Sequence, residues 1–279
     1  MFKHLPDPAG YRPGMDAAHR ATDDGPAPAG RTVVVRLAPD LRWLLPPRYR
    51  TGGERALPFD PDATVGHLVQ AAGVPLTEVG RVLVDGGAVD LAARTAPGAV
   101  LVVTPAGRPQ PVPAGGFLLD VGLGGLARRL RLLGLDAAWR NDATDPELVA
   151  QAVAEDRVLL TQDRGLLMRR ALPHGALVRG SGTDAQLADV LDRFVTVPAP
   201  LTRCTTCNGE LAPAPKTEVA DQLEPGTRRT VEEFSRCTRC GRVYWRGAHA
   251  ARIDELVAGT PATAPVTPAG PTRRATRGR

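Results

Sequence analysis

The chain has 279 residues, a formal charge of +5 and a sequence pI of about 9.4, and a length of this order divides into several modest cores more readily than into one. Lys3 and Lys216 are the only lysines, so the charge is nearly all arginine; that suits phosphate pairing, but it also follows from a compositional bias, and charge alone does not assign a nucleic-acid partner. No stretch is apolar for long enough to span a bilayer and no signal-like segment opens the chain, so no membrane partner and a cytoplasmic location are expected.

Residues 1–30 carry Pro, Gly and Asp without periodicity and read as a disordered tail. From Thr32 the texture changes. Residues 32–37 read as a strand, 62–73 as a helix closed by glycine, 81–85 as a strand turning at Gly86-Gly87, and 100–104 as a further strand. Strands around one helix point to a β-grasp domain over 31–107, followed by a Pro-rich linker at 108–115. The motifs Ala63-Thr-Val-Gly-His-Leu, Gly73-Val-Pro and Val82-Leu-Val-Asp-Gly86 resemble the ubiquitin-like domains related to molybdopterin and thiamine sulfur carriers. Such carriers act through a free C-terminal Gly-Gly, whereas Gly115-Gly116 runs straight into the next strand, so docking of a protein partner is expected rather than carrier chemistry.

Strands and helices then alternate: strands at 117–120, 137–140, 158–161 and 176–179, and helices at 123–133, 146–154, 164–171 and 184–194. This order predicts an α/β domain over 116–198, a parallel sheet with flanking helices. Thr183-Asp-Ala-Gln186 has the form of a capping box for the last helix.

In a parallel sheet, the loops leaving the carboxyl ends of the strands form the ligand crevice. Asp120, Asp142 and Asp145, Asp163, and Asp184 follow the four strands in turn and should converge on that edge. Crowded carboxylates call for a cation, and Mg²⁺ or Mn²⁺ suits oxygen ligands and retains waters that become nucleophiles. Two such ions about 3.5–4 Å apart would support in-line phosphodiester cleavage. Asp also caps helices, a simple alternative for Asp145 and Asp184, weaker for Asp163 and weakest for Asp120. Arg128, Arg129 and Arg131 alternate with leucines on the first helix; they are candidates for phosphate contact or an ordinary solvated face. Gly122-Leu-Gly124-Gly-Leu-Ala127 after a strand also satisfies a dinucleotide fingerprint, with Asp142 at the ribose distance, but Asp120 would then face a pyrophosphate.

Asp120, Leu123-Gly124, Leu126-Ala-Arg-Arg-Leu-Arg-Leu-Leu-Gly-Leu-Asp136 and Arg157-Val-Leu-Leu-Thr-Gln-Asp-Arg164 resemble the PIN-like RNase domain named for the C-terminal part of the Mut-seven exonuclease. That family often carries the same ubiquitin-like front and a zinc ribbon. The resemblance implies a metal-dependent ribonuclease with Asp120, Asp145 and Asp163 as metal ligands, Asp184 as a fourth acid, and Thr161 and Arg164 flanking Asp163 on the substrate side. Gln162 stands where an arginine is more usual.

Cys204-Thr-Thr-Cys207 and Cys237-Thr-Arg-Cys240 are two knuckles that complete a tetrahedral Zn²⁺ site in a ribbon over 199–257. Four thiolates leave no open position, so this zinc is expected to be structural. Residues 213–233 are expected to form an extended insertion. Tyr244, Trp245 and His249 could stack on bases or pack the ribbon's small core. A basic tail is expected at 258–279. The combined expectation is an RNA-cutting enzyme; the competing classes are a non-catalytic RNA-binding or ribosome-associated adaptor and, more remotely, a dinucleotide-binding protein.

Overall fold

In β1 (Thr32–Leu37), Val33, Val35 and Leu37 alternate inward, the period of a strand with one buried face. The computed structural model describes residues 32–247; the tails expected at either end and His249 lie outside the described residues. β1 pairs antiparallel with β2 (Glu54–Pro58) and parallel with β5 (Val100–Pro105), and β3 (Val79–Val84) and β4 (Gly87–Val89) complete a five-stranded sheet of order β2-β1-β5-β3-β4. After β1 the chain makes a 3-10 turn over Pro39–Leu44 and a single turn, α1 (Pro47–Arg50); α2 (Val65–Ala71) begins where the Thr64 hydroxyl accepts the His67 amide. This is the expected β-grasp. The Asp85-Gly86 corner adopts the left-handed conformation that a tight hairpin needs. β2 and the 3-10 turn were not legible, since a short edge strand ending in proline and an apolar run between prolines carry no period.

The Pro-rich stretch after β5 is pinned rather than loose. Arg108 pairs with Asp189 and Asp192, and Gln110 exchanges backbone hydrogen bonds with Arg193 and Val195. Gly115 and Gly116 then meet the second sheet where there is no room for side chains: a Cβ on Gly115 would clash with the Glu155 carbonyl, and one on Gly116 would lie 2.7 Å from that of Asp136. Packing explains this pair.

The second sheet is four-stranded and parallel, of order β7-β6-β8-β9, with β6 at Phe117–Leu119, β7 at Ala137–Trp139, β8 at Val158–Thr161 and β9 at Gly175–Leu177. Phe117, Leu119, Val158 and Leu160 pack against α3 (Gly124–Leu132) and α6 (Thr183–Arg193). Leu118, Leu159 and Leu177 point the other way, toward α4 (Asp145–Ala154) and the short α5 (Arg164–Leu167). The helix expected over 164–171 is thus one turn long. The capping box expected at Thr183 is also corrected: Gly182 is the cap and Thr183 is already helical. A capping box stands at α4 instead, where Glu147 accepts from the Thr144 amide and hydroxyl, both at 2.8 Å.

The α4/α5 face and the β-grasp unit share one continuous apolar core. The edge of β9 is closed by Glu78, whose carboxylate accepts the Leu177 amide at 2.9 Å and both Arg193 Nη1 hydrogen bonds at 2.8 and 2.9 Å. An open strand edge is thereby covered by the neighbouring unit.

The third unit is a three-stranded antiparallel sheet, β10 (Leu211–Ala214), β11 (Phe234–Cys237) and β12 (Val243–Tyr244). The insertion between β10 and β11 is compact, not extended: α7 (Lys216–Val219) and α8 (Pro225–Thr230) fold over a core of Val219, Leu223 and Phe234. No helix among the described residues is long and apolar enough to cross a membrane.

Candidate active site and cysteine cluster

β6 hands over to β7 through α3 on one face of the sheet, and β8 to β9 through α5 on the other, so the connections diverge between β6 and β8. Such a divergence opens the crevice at the carboxyl edge of the sheet. Asp120 ends β6, and Thr161-Gln162-Asp163 ends β8. The Thr161 hydroxyl lies between them: it donates to Asp120 Oδ2 at 2.6 Å and accepts the Asp163 amide at 2.9 Å. Asp120 Oδ1 accepts the Val121 amide at 2.6 Å, and Asp163 Oδ1 accepts the Gly165 amide at 2.6 Å. Both side chains are therefore oriented by local turns, with lone pairs left on each carboxylate.

Thr161 is fully buried, so its role is corrected from contact with substrate to positioning of the two acids. Asp145, on the first turn of α4, is exposed. Asp184 is exposed on α6 and pairs with Arg129 at 3.2 Å, which draws Arg129 toward the α6 start rather than leaving it for a phosphate. Asp142 faces Arg140 at 3.9 Å. The carboxylates share an edge without crowding: among the described residues, the group of acids, histidines or cysteines whose ligand atoms all fall within 4.8 Å of one another is the cysteine set.

The arginines divide sharply. Arg128 is exposed on α3. Arg131 is buried, contrary to the expected phosphate contact, and donates to the carbonyls of Ala137 at 2.8 Å, Thr205 at 3.3 Å and Thr206 at 3.0 Å. Arg164 is likewise redirected, because α5 faces the β-grasp unit and its guanidinium donates to the Leu44 carbonyl at the end of the 3-10 turn. Two of the three glycines of the dinucleotide-like stretch have packing reasons, a Cβ on Gly124 lying 2.6 Å from the Trp139 ring and one on Gly125 2.8 Å from the Thr183 hydroxyl, whereas one on Gly122 would meet open space.

The four cysteines converge. Cys204 and Cys240 Sγ are 3.6 Å apart and Cys207 and Cys237 Sγ 3.5 Å, all four within 4.8 Å. Tetrahedral zinc with bonds of about 2.3 Å places sulfurs about 3.8 Å apart, so the cluster could hold zinc. The Tyr244 hydroxyl lies 3.0 Å from Cys204 Sγ, a supporting contact for a ligand rather than an exposed stacking face. Burial pushes the Cys207 thiol up to about 12, whereas at Cys204 hydrogen bonds from Tyr244 and the backbone outweigh burial and bring it down to about 6. A cation among the four sulfurs would favour the thiolate form of each. Trp245 packs edge-on to Phe234.

Asp136, at the mouth of β7, was not singled out as functional, yet it gathers Arg157 at 2.7 Å, Asn208 at 2.9 Å and Arg203 at 3.1 Å. Burial raises its carboxyl, but hydrogen bonds from Arg157 and Asn208 outweigh that and hold it below its ordinary range. A depressed folded value means that the stability it contributes is present above the unfolded value of about 3.9 and is lost as pH falls through the folded one. Asp136→Asn should therefore flatten the acid limb of urea midpoint against pH; an unchanged limb would remove Asp136 from the acid response.

The family model of the Mut7-C RNAse domain matches residues 115–257, more than half of the chain, and that of the Mut7-C ubiquitin domain matches residues 30–111. The chain belongs to the Mut7-C RNAse domain family, with the family's ubiquitin-like domain in front. No curated protein matches it at a comparable level. Among solved structures it is similar to the small archaeal modifier protein 1 of H. volcanii, at 26% identity over 28% of this chain and 100% of that one, with a TM-score of 0.22.

Proposed function

We propose that this protein is a metal-dependent ribonuclease acting at the carboxyl edge of the β7-β6-β8-β9 sheet. The observation that carries the reading is the Thr161 hydroxyl shared by Asp120 and Asp163 where the crossover connections diverge. Asp120 and Asp163 would hold Mg²⁺ or Mn²⁺ through one or two carboxylates with waters completing the shell, as Mg²⁺ sites commonly are. Such an ion supplies a water of lowered pKa and neutralises charge on the phosphate oxygens. Asp145, exposed on the first turn of α4, borders the same edge, and Asp184 is an outer acid held by Arg129. Arg128 meets the RNA backbone. Cys204, Cys207, Cys237 and Cys240 hold a structural Zn²⁺. The ubiquitin-like domain spans 31–107, the nuclease domain 116–198 and the ribbon 199–257, with the enzyme in the cytoplasm and the ubiquitin-like domain available to a protein partner.

The test is cleavage of a mixed, end-labelled RNA pool with Mn²⁺, Mg²⁺ or EDTA, comparing the parent with Asp163→Ala. Metal-dependent cutting that the substitution abolishes is expected. Thr161→Val should keep the fold and lower the rate about 10- to 100-fold, the usual loss when a ligand's supporting hydrogen bond goes. The uncrowded carboxylates favour a second reading, a non-catalytic RNA-binding adaptor. RNA bound equally with and without metal, and never cut, would select it.

A further inference from the structure

Beside Asp163 lies a cavity of about 420 Å³ lined by Trp43, Gln162, Leu177, Val178, Arg179 and Gly180. Its walls come from two units: Trp43 stands on the 3-10 turn of the ubiquitin-like domain, and the others belong to the ends of β8 and β9. Trp43 is 38% exposed, so part of its ring is open to solvent. Its indole Nε1 donates to the Asp40 carbonyl at 2.9 Å, which fixes the ring plane, and the Arg179 guanidinium lies 5.2 Å from the ring centroid. Gln162 spans the floor, its amide donating to the Val178 and Gly180 carbonyls at 3.3 and 2.8 Å, and it stands in the chain between Thr161, which links Asp120 to Asp163, and Asp163 itself. An aromatic ring, a guanidinium and a planar amide beside the proposed phosphodiester-cleaving site make a combination that can hold an unpaired base.

We propose that Trp43 and Arg179 hold an unpaired nucleobase of single-stranded RNA, so that the ubiquitin-like domain supplies part of the substrate site. The inference rests on RNA as the substrate, as proposed above. It makes Trp43 a specificity element: a base inside a duplex keeps its own stacking partners and does not enter, so single strands are preferred.

The experiment is fluorescence anisotropy on the full, zinc-loaded chain without added Mg²⁺ or Mn²⁺, with a short labelled single-stranded RNA and the same strand annealed to its complement. Trp43→Ala and Arg179→Ala should each weaken single-strand binding about tenfold or more, Trp43→Phe should retain most of it, and duplex affinity should stay constant across the variants. Equal single-strand affinity in parent, Trp43→Ala and Arg179→Ala would overturn the proposal, as would equal losses for strand and duplex. Should Trp43→Ala fail to fold, Arg179→Ala and Trp43→Phe decide it. Omitting Mg²⁺ and Mn²⁺ separates binding from hydrolysis: variants that bind single strands like the parent, with metal-dependent cleavage intact, overturn this inference alone, and stacking without any cleavage when the metal is restored overturns the nuclease reading alone.

Discussion

Glu78→Ala should destabilise the protein by about 3–5 kcal/mol, the usual loss when one partner of a buried ion pair is removed. The side chains of Glu78 and Arg193 are 4% and 3% exposed, so alanine leaves a guanidinium in the interior with its carboxylate gone. It also strips the Leu177 amide on the β9 edge of its acceptor. Arg193 keeps contacts with the Thr77 carbonyl and Gln110, which satisfy donors without neutralising charge. Glu78→Gln preserves an acceptor and should cost less than alanine. The control is the Arg36–Glu54 pair, 50% and 45% exposed, where Arg36→Ala should change stability by about 1 kcal/mol or less. Urea midpoints at neutral pH make the comparison. A Glu78→Ala midpoint no lower than that of Arg36→Ala would mean that the apolar interface alone holds the two units together.

Removing the zinc proposed for the cysteine cluster should unfold the ribbon and loosen β7 as well. Structural zinc contributes on the order of 10–16 kcal/mol of apparent binding energy in zinc-finger peptides, whereas this ribbon's apolar core consists chiefly of Val219, Leu223 and Phe234. The effect reaches the sheet because the first knuckle is bonded to it: Asn208 accepts the Ala137 amide at 3.1 Å, and Arg131 grips the Thr205 and Thr206 carbonyls. β7 leads directly into the loop that carries Asp142 and ends at Asp145, the first residue of α4. Hydrogen exchange after strong chelation, or in Cys204→Ser, should show lost protection across residues 202–244 and at Ala137, with β1 and β5 unchanged. Full protection at Ala137 in the stripped protein would show that the knuckle does not hold the strand, and a metal analysis without zinc would refute the ion's identity.

Interaction range separates the features legible along the chain from those that needed the folded molecule. Periodicities of two and of 3.6 residues are local, so β1, α2, β6, α3 and β8 could be read from side-chain alternation, caps and glycine stops, and the strand-helix order was enough for a parallel sheet. The cysteine knuckles were equally legible, because each places two ligands within four residues and needs the fold only to bring the pairs together. Positions of acids at strand ends were visible for the same reason. The partners of polar side chains were not, since a partner is chosen in space. Arg131 looked like a surface arginine by spacing and is the buried clasp to the ribbon; Arg164 sits beside Asp163 in the chain but turns to the Leu44 carbonyl of another unit. Thr161 was marked by its neighbours, yet only the pairing of β6 with β8 puts its hydroxyl on Asp120, forty-one positions away in sequence. Trp43 and Arg179 lie still farther apart, and their meeting depends on the docking of two separately patterned units, decided by shared apolar burial and the Glu78–Arg193 pair rather than by any local signal.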